Sequence, residues 1–247
     1  MPGIEEEITG LVNEVERIYK DNKKDKDILY ILGNAIANSE RDHINSTIIG
    51  CTECGEIGQY GKSIISGDLR EACILIVSDY PTQQQLDSGE ESFAPFEFTD
   101  GFENLKEYIG QQVSLDKIAW INSVCCCPFQ EINGKVISRP PTSTEAKNCK
   151  HFLQRLFDIM RITKHVLCII TMGNIALNAL IPNSRIEKVR GEQLSYSDTP
   201  VFPMYNPLCI AGDSERDVNK REDFQNDIDN ALNWIVENCP DVKKEDN

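Results

Sequence analysis

No apolar run in this 247-residue chain approaches the roughly 20 consecutive residues that a membrane-spanning helix requires. The first ten residues, MPGIEEEITG, are acidic and lack the basic and apolar regions of a secretory leader. Basic charge is also scarce. The 25 lysines and arginines stand against 40 acids, for a formal net charge of −15 and a pI near 4.7. That balance argues against a general nucleic-acid binder, whose footprint is a basic surface. The chain has no internal repeat and no low-complexity tract, and only VKKEDN at its end resembles a frayed terminus. The expectation is a soluble, cytoplasmic monomer built as one sizeable α/β domain with an appended helical segment.

Against those absences stand ten cysteines. With no export signal in view, a disulfide scaffold is disfavoured, because the cytosol keeps thiols reduced. For the same reason the glycosylation triplet Asn45-Ser46-Thr47 carries no weight. Three cysteines are consecutive, in the stretch NSVCCCPF from Asn122 to Phe129. Neighbours in an extended chain point in opposite directions, so these three thiols cannot share one task.

Residues 4–19 place Ile4, Ile8, Leu11, Val12, Val15 and Tyr19 at helical spacing, and a second apolar set runs from Ile28 to Ile36. Four β-rich runs follow at wide intervals: CILIVS (73–78), KIAWINSV (117–124), VLCIITM (166–172) and PVFPMY (200–205). Helical patterns lie between or after them, over Phe102–Ile109, Ser143–Met160 and Asn174–Leu180 and at Phe224, Ile228, Ala231, Leu232, Ile235 and Val236. Continuous apolar strands alternating with helices predict a three-layer α/β/α sandwich around a mostly parallel four-stranded sheet. The boundaries read as a helical extension over 1–48 and an α/β domain with a C-terminal helix over 49–247.

In such sheets ligands bind beyond the carboxyl ends of the strands. The residues there are Ser78-Asp79-Tyr80-Pro81-Thr82, Asn122, Gly173 and Tyr205-Asn206-Pro207. One local window departs from the acidic whole. Between Lys135 and Lys164 seven bases (Lys135, Arg139, Lys147, Lys150, Arg155, Arg161, Lys164) face two acids, Glu145 and Asp158, a net +5. Such a run is either a solvated helix face or a local nucleic-acid contact.

Cys51-Thr-Glu-Cys54 is a C-x2-C pair, whose spacing lets two thiolates reach one metal. Further ligands would come from the 125–127 run and from Cys149. Zinc and an iron-sulfur cluster both accept four thiolates. Zinc ribbons usually show two such pairs, and the single pair here weakly favours iron-sulfur. Cys73 and Cys168, inside apolar strands, read as buried small hydrophobes; Cys209 and Cys239 carry no assignment beyond a structural one.

The collinear order of these features resembles the uracil-DNA glycosylase superfamily, and within it the iron-sulfur-containing family 4, over about residues 48–215. The family's Gly-Glu-Ala-Pro-Gly corresponds to Ser78-Asp79-Tyr80-Pro81-Thr82 and its Pro-Phe to Pro95-Phe96. Its Asn-x3-Cys-Arg-Pro corresponds to Asn122 through Pro128, its Glu-x3-Cys to Glu145 through Cys149 and its Gly-x2-Ala to Gly173 through Ala176. Its Arg-Gly corresponds to Arg190-Gly191 and its His-Pro to Asn206-Pro207.

The resemblance implies a [4Fe-4S] cluster, with zinc as the alternative, on Cys51, Cys54, Cys126 and Cys149. Cys125 and Cys127 would be bystanders, and QEINGKV would be extra residues in the loop between the last two ligands. It also implies a monofunctional glycosylase acting on DNA, single- or double-stranded, that extrudes a pyrimidine and hydrolyses its N-glycosidic bond. Phe96 would stack on the flipped base, Tyr80 would line the pocket, and Asn122 would read the pyrimidine edge with an amide that offers donor and acceptor side by side. Taken alone, a lone Phe is more often core and a strand-end Asn more often a turn residue. Asp79 would stabilise the oxocarbenium-like sugar or position water, although an Asp there can also simply cap a helix. Lys135, Arg139, Lys147, Lys150 and Arg190 would contact DNA.

The departures from the family pattern concentrate around the pocket. None of the three histidines, His43, His151 and His165, falls in a motif, and Asn206 stands where the family has His. Asn206 can donate a hydrogen bond to the leaving base but cannot carry charge. The Glu-to-Asp change shortens the acid, and Tyr80 and Thr82 replace small residues. A pocket shaped for a modified pyrimidine, such as a hydroxymethylated or glycosylated base and including such bases in viral DNA, follows as an expectation. The alternative is a catalytically degenerate iron-sulfur module that holds DNA or a protein partner.

Overall fold

A computed structural model describes residues 26–82, 108–163, 166–207 and 215–243. Helix α1 (Lys26–Gly50) leads through a short 3-10 turn (Gly55–Tyr60) to strand β1 (Ile74–Ser78), and β2 (Ile118–Asn122) follows. A small hairpin of β3 (Phe129–Ile132) and β4 (Lys135–Ser138) precedes the long helix α2 (Ser143–Thr163). Strand β5 (Cys168–Met172), short helices α3 (Asn174–Leu180) and α4 (Ile186–Val189), strands β6 (Leu194–Tyr196) and β7 (Thr199–Met204) and helix α5 (Glu215–Asn238) complete the order.

The main sheet runs β2-β1-β5-β7-β6, with β1, β2, β5 and β7 parallel and β6 antiparallel at one edge. The four expected strands are all present, and β6 extends the sheet to five. Its three residues, LSY, are too few to show an alternation that reads as a strand.

Strand alternation sorts the core into two layers. Leu75, Val77, Ala119, Ile121, Ile169 and Val201 face one side, where α1, α2 and α3 supply Ala37, Ile44, Ile48, Phe152, Leu156, Met160 and Leu180. Ile74, Ile76, Trp120, Ile170, Met172 and Phe202 face the other, where α5 supplies Phe224, Ile228, Leu232 and Ile235. This is the predicted α/β/α sandwich, and both faces being covered explains why its strands read as continuous apolar runs.

The second expected apolar set, Ile28 to Ile36, belongs to a helix that continues to Gly50, one residue before Cys51. Helix α1 forms part of the first core layer, with Gly33 close to the Thr163 backbone and Glu40 bonded to Arg155 at 2.9 Å. The patterns at residues 4–19 and at most of 102–109 lie outside the described residues, as do Phe96, Lys164 and Cys209. No helix among the described residues is long and apolar enough to cross a membrane.

Candidate active site at the carboxyl edge of the sheet

The strand register aligns the ends of the parallel strands. Ser78 pairs with Asn122 on one side and Met172 on the other, and Met172 pairs with Met204. The residues that follow, Asp79, Ser123, Gly173 and Asn206, therefore emerge from one edge. Ser78, Asp79, Asn122, Ser123 and Asn206 are all buried there, a concentration of polar groups in an interior that is otherwise apolar.

Asp79 is the centre of this group. One carboxylate oxygen, Oδ1, accepts the backbone N–H groups of Ile175 at 2.9 Å and Ala176 at 2.8 Å, at the start of α3. The Asn206 amide also hydrogen-bonds the Asp79 side chain, and it reaches Ser78 Oγ at 3.3 Å. The Asp79 backbone is fixed separately: its carbonyl accepts Ser123 Oγ–H at 2.8 Å and Val124 N–H at 3.0 Å. Burial dominates the ionisation of the carboxyl and pushes it up to about 6, while Ala176, Ile175 and Asn206 pull it back toward the ordinary carboxylate range.

Gly173 makes this arrangement possible. Its φ is +105°, and a Cβ built there would lie 2.1 Å from Asp79 Oδ2. The Gly-x2-Ala spacing therefore has a physical content: the glycine clears space for the acid, and the amide of Ala176 binds it. The carboxylate expected to act in catalysis is thus also the group that caps the start of α3.

Asn122 donates from Nδ2 to Ser63 Oγ at 2.9 Å. Ser63 in turn bonds the Cys125 carbonyl through its backbone N–H at 2.7 Å and its hydroxyl at 3.2 Å. Nothing in the sequence marks Ser63, a lone serine between a lysine and an isoleucine. Through it the proposed base-reading amide is tied to the cysteine run.

Several of the cysteines lie near one another. All nine in the described residues are free thiols. Cys126 lies within electrostatic reach of Cys149, Cys51 and Cys54, and burial followed by Cys149 pushes its thiol up to about 12. Cys54 accepts a bond from Asn148 at 3.5 Å. Cys125, expected to stand aside, is fully buried in the core and hydrogen-bonds Cys149. Lys62 donates to the Ile49 carbonyl at 2.9 Å and to that of Cys51; its ammonium opposes the rise at Cys126, and at Cys149, lowered to about 7 chiefly by the hydrogen bond with Cys125, it adds a smaller pull in the same direction. As placed, no three His, Cys, Asp or Glu side chains among the described residues form a group that could hold a metal ion. The four proposed ligands thus converge from the end of α1, the segment after β2 and the first half of α2 without closing on a common point.

The proposed DNA-contacting bases divide into two kinds. Lys135 and Lys147 are exposed and Lys150 is half-buried. Arg139, by contrast, is held by Glu145 through two bonds of 2.8 and 2.6 Å, and Glu145 closes a capping box with Thr142 at the start of α2. Arg190 is taken up by Asp227 at 2.9 Å and Asp223 at 2.9 Å, and its guanidinium lies 5.5 Å from the centre of the Tyr205 ring, which Lys220 also approaches at 5.0 Å. Gly191 follows at φ +72°, and a Cβ there would meet Asp227 Oδ1 at 2.7 Å. The Arg-Gly pair therefore locks α5 against the residue preceding Asn206. Tyr80 is half-buried beside Asp79.

No curated protein matches the chain. The family model described as the uracil DNA glycosylase superfamily matches residues 64–233, more than half of the chain.

Proposed function

Because the chain belongs to the uracil DNA glycosylase superfamily, which implies a hydrolase acting on DNA, we propose that it is a monofunctional glycosylase for a modified pyrimidine. The observation that carries this is the buried junction of Asp79, Asn206 and the start of α3 at the carboxyl edge of the sheet. An ionised carboxylate held by backbone amides in a water-poor site is suited to a transition state with positive charge on the sugar.

In the proposed reaction the target nucleotide is extruded into the pocket. Asn122 hydrogen-bonds the pyrimidine edge. The bond from C1′ to the base nitrogen breaks, its electron pair leaving with the base, and the Asn206 amide donates to the oxygen on which negative charge grows. Asp79 stabilises the sugar cation and orients a water molecule, whose oxygen bonds to C1′ and whose proton passes through the carboxylate to solvent. Solvent reprotonates the base. Asn206 offers a neutral donor, so stabilisation of the leaving group falls more heavily on the base itself. A pyrimidine that carries its own polar or sugar substituent, and the larger side chains of Tyr80 and Thr82, fit that division of work.

Cys51, Cys54, Cys126 and Cys149 are proposed to hold a [4Fe-4S] cluster. The donor set suits it: four free thiols from three segments, with the Lys62 ammonium beside them. The cluster would supply a covalent anchor among α1, the segment after Asn122 and α2. Iron and sulfide quantification with visible absorbance tests this, and colourless protein carrying zinc would replace the cluster by zinc.

A second reading is a degenerate binding module, favoured by the engagement of Asp79 Oδ1 with two backbone amides. The experiment that separates the two is base release from oligonucleotides carrying uracil, hydroxymethylated and glycosylated pyrimidines, with wild type and Asp79→Asn. Release of a modified base that Asp79→Asn abolishes is the expected result. Efficient release of uracil alone would refute the modified-base assignment, and no release from any substrate would leave the binding module.

A further inference from the structure

The seven residues read from the sequence as an insertion, QEINGKV, form most of a two-stranded hairpin that projects from the domain. Phe129 pairs with Ser138, Gln130 with Ile137, Glu131 with Val136 and Ile132 with Lys135. Asn133 and Gly134 both have positive φ, 52° and 74°, the signature of a tight turn whose twist matches the strands. The root of the hairpin is held firmly. Phe129 packs edge-on against Tyr60 at 4.2 Å, and Arg139 bonds the Phe129 carbonyl at 2.9 Å while pairing with Glu145.

Beyond its root the hairpin makes few contacts among the described residues. Ile132, Val136 and Ile137 are 47%, 44% and 40% exposed, three of the seven large apolar side chains most exposed among the described residues. Cross-strand partners share a face, as do residues two apart. One face therefore carries Gln130, Ile132, Lys135 and Ile137, and the sole acid of the hairpin, Glu131, lies on the other with Val136. An anchored ribbon presenting two isoleucines, an amide and a lysine, with no carboxylate among them, stands out on a chain of net charge −15.

We propose that this face of the β3–β4 hairpin seats in a groove of duplex DNA, with Ile132 and Ile137 against the base stack and Lys135 on a phosphate. The proposal rests on the glycosylase function above and gives it a second, duplex-specific contact. A two-stranded ribbon fits the major groove, and apolar side chains inserted from a ribbon or loop part base steps in the minor groove. Phe129 follows Asn122 by seven positions, so the root lies no more than about 25 Å from the proposed base pocket, within one turn of duplex. Apolar contact with the stack would help hold the duplex open while one nucleotide is extruded.

The test is binding of the full-length protein to a short labelled duplex with a central stable abasic analogue, and to the same strand alone. The double variant Ile132→Ser/Ile137→Ser should bind the duplex about tenfold more weakly, leave single-strand affinity within about twofold and melt as wild type does, since both sites are exposed. Lys135→Ser should reduce the slope of log affinity against log salt by about one. If the double variant binds both substrates as wild type does, or weakens both equally, while Asp79→Asn still abolishes base release, the hairpin assignment is overturned and the glycosylase stands. If wild type binds neither substrate, both are overturned. If the double variant turns a dimer into a monomer with duplex affinity intact, the face is an interface between copies and the proposal is refuted.

Discussion

A Cβ on Gly173 would lie 2.1 Å from Oδ2 of Asp79. The glycine, at φ +105°, is therefore a condition for the acid to sit over the first turn of α3. Gly173→Ala should both strain the backbone and displace the carboxylate, costing about 2–4 kcal/mol of stability and most of any base release. Urea unfolding and a base-release assay on the same preparation check both losses; an alanine variant with wild-type stability would show that the carboxylate has room to move.

Asp79→Asn should separate activity from stability. The folded-state value near 6 lies above the ordinary 3.8, so the native state holds more protons than the unfolded chain between those values. Stability from this group is accordingly lost as pH rises through that window, with the full cost, about 3 kcal/mol, present at neutral pH and absent below about 3.8. Asparagine still offers an oxygen to Ile175 and Ala176. The variant should release no base, yet be up to about 3 kcal/mol more stable at neutral pH and no more stable near pH 4. Denaturant midpoints at the two pH values measure this.

The same carboxylate sets a pH profile. If Asp79 acts ionised, single-turnover base release should fall about tenfold per pH unit below about 6 and level off above it. A profile flat from about pH 5 to 8 would remove Asp79 from the chemical step.

Much of this site was legible in the strand ends. Asp79, Asn122, Gly173 and Asn206 each follow a β-rich run, and topology alone sends the ends of parallel strands to one edge. Ser63 was not legible, because it acts through a contact spanning 59 positions that no local pattern announces. Strand β6, at three residues, is too short to show an alternation, and the hairpin reads only as extra length although Asn133-Gly134, between Ile132 and Lys135-Val136, is a turn signal. Arg190 was expected on DNA, but its partners Asp223 and Asp227 lie on a helix more than thirty residues on.

Cysteine variants test the proposed cluster residue by residue. Cys126→Ser should lose iron, whereas Cys127→Ser and Cys125→Ser should retain it. Cys125→Ser should nevertheless cost about 1–3 kcal/mol, since its thiol is fully buried and bonded to Cys149. Loss of iron in Cys125→Ser with retention in Cys126→Ser would exchange the two assignments.

Arg190→Ala leaves the buried Asp227 without its cation and should destabilise the fold by about 3–5 kcal/mol. Arg190→Ala/Asp227→Asn should recover much of that loss, because no unpaired charge remains. Duplex affinity of the double variant near wild type would confirm a locking role; a loss of affinity as large as that of a surface lysine would restore Arg190 to the DNA contact.

Among the described residues, helix α1 precedes everything it packs against. Glu40 meets Arg155 across 115 positions, and Ala37, Ile44 and Ile48 share a core layer with Phe152, Leu156 and Met160. On the ribosome, at about 5–20 residues per second, the apolar stripe of α1 would wait many seconds for α2 to be made. During that interval it is a surface for a chaperone to hold, and the order of synthesis, as much as the finished contacts, decides when the first core layer closes.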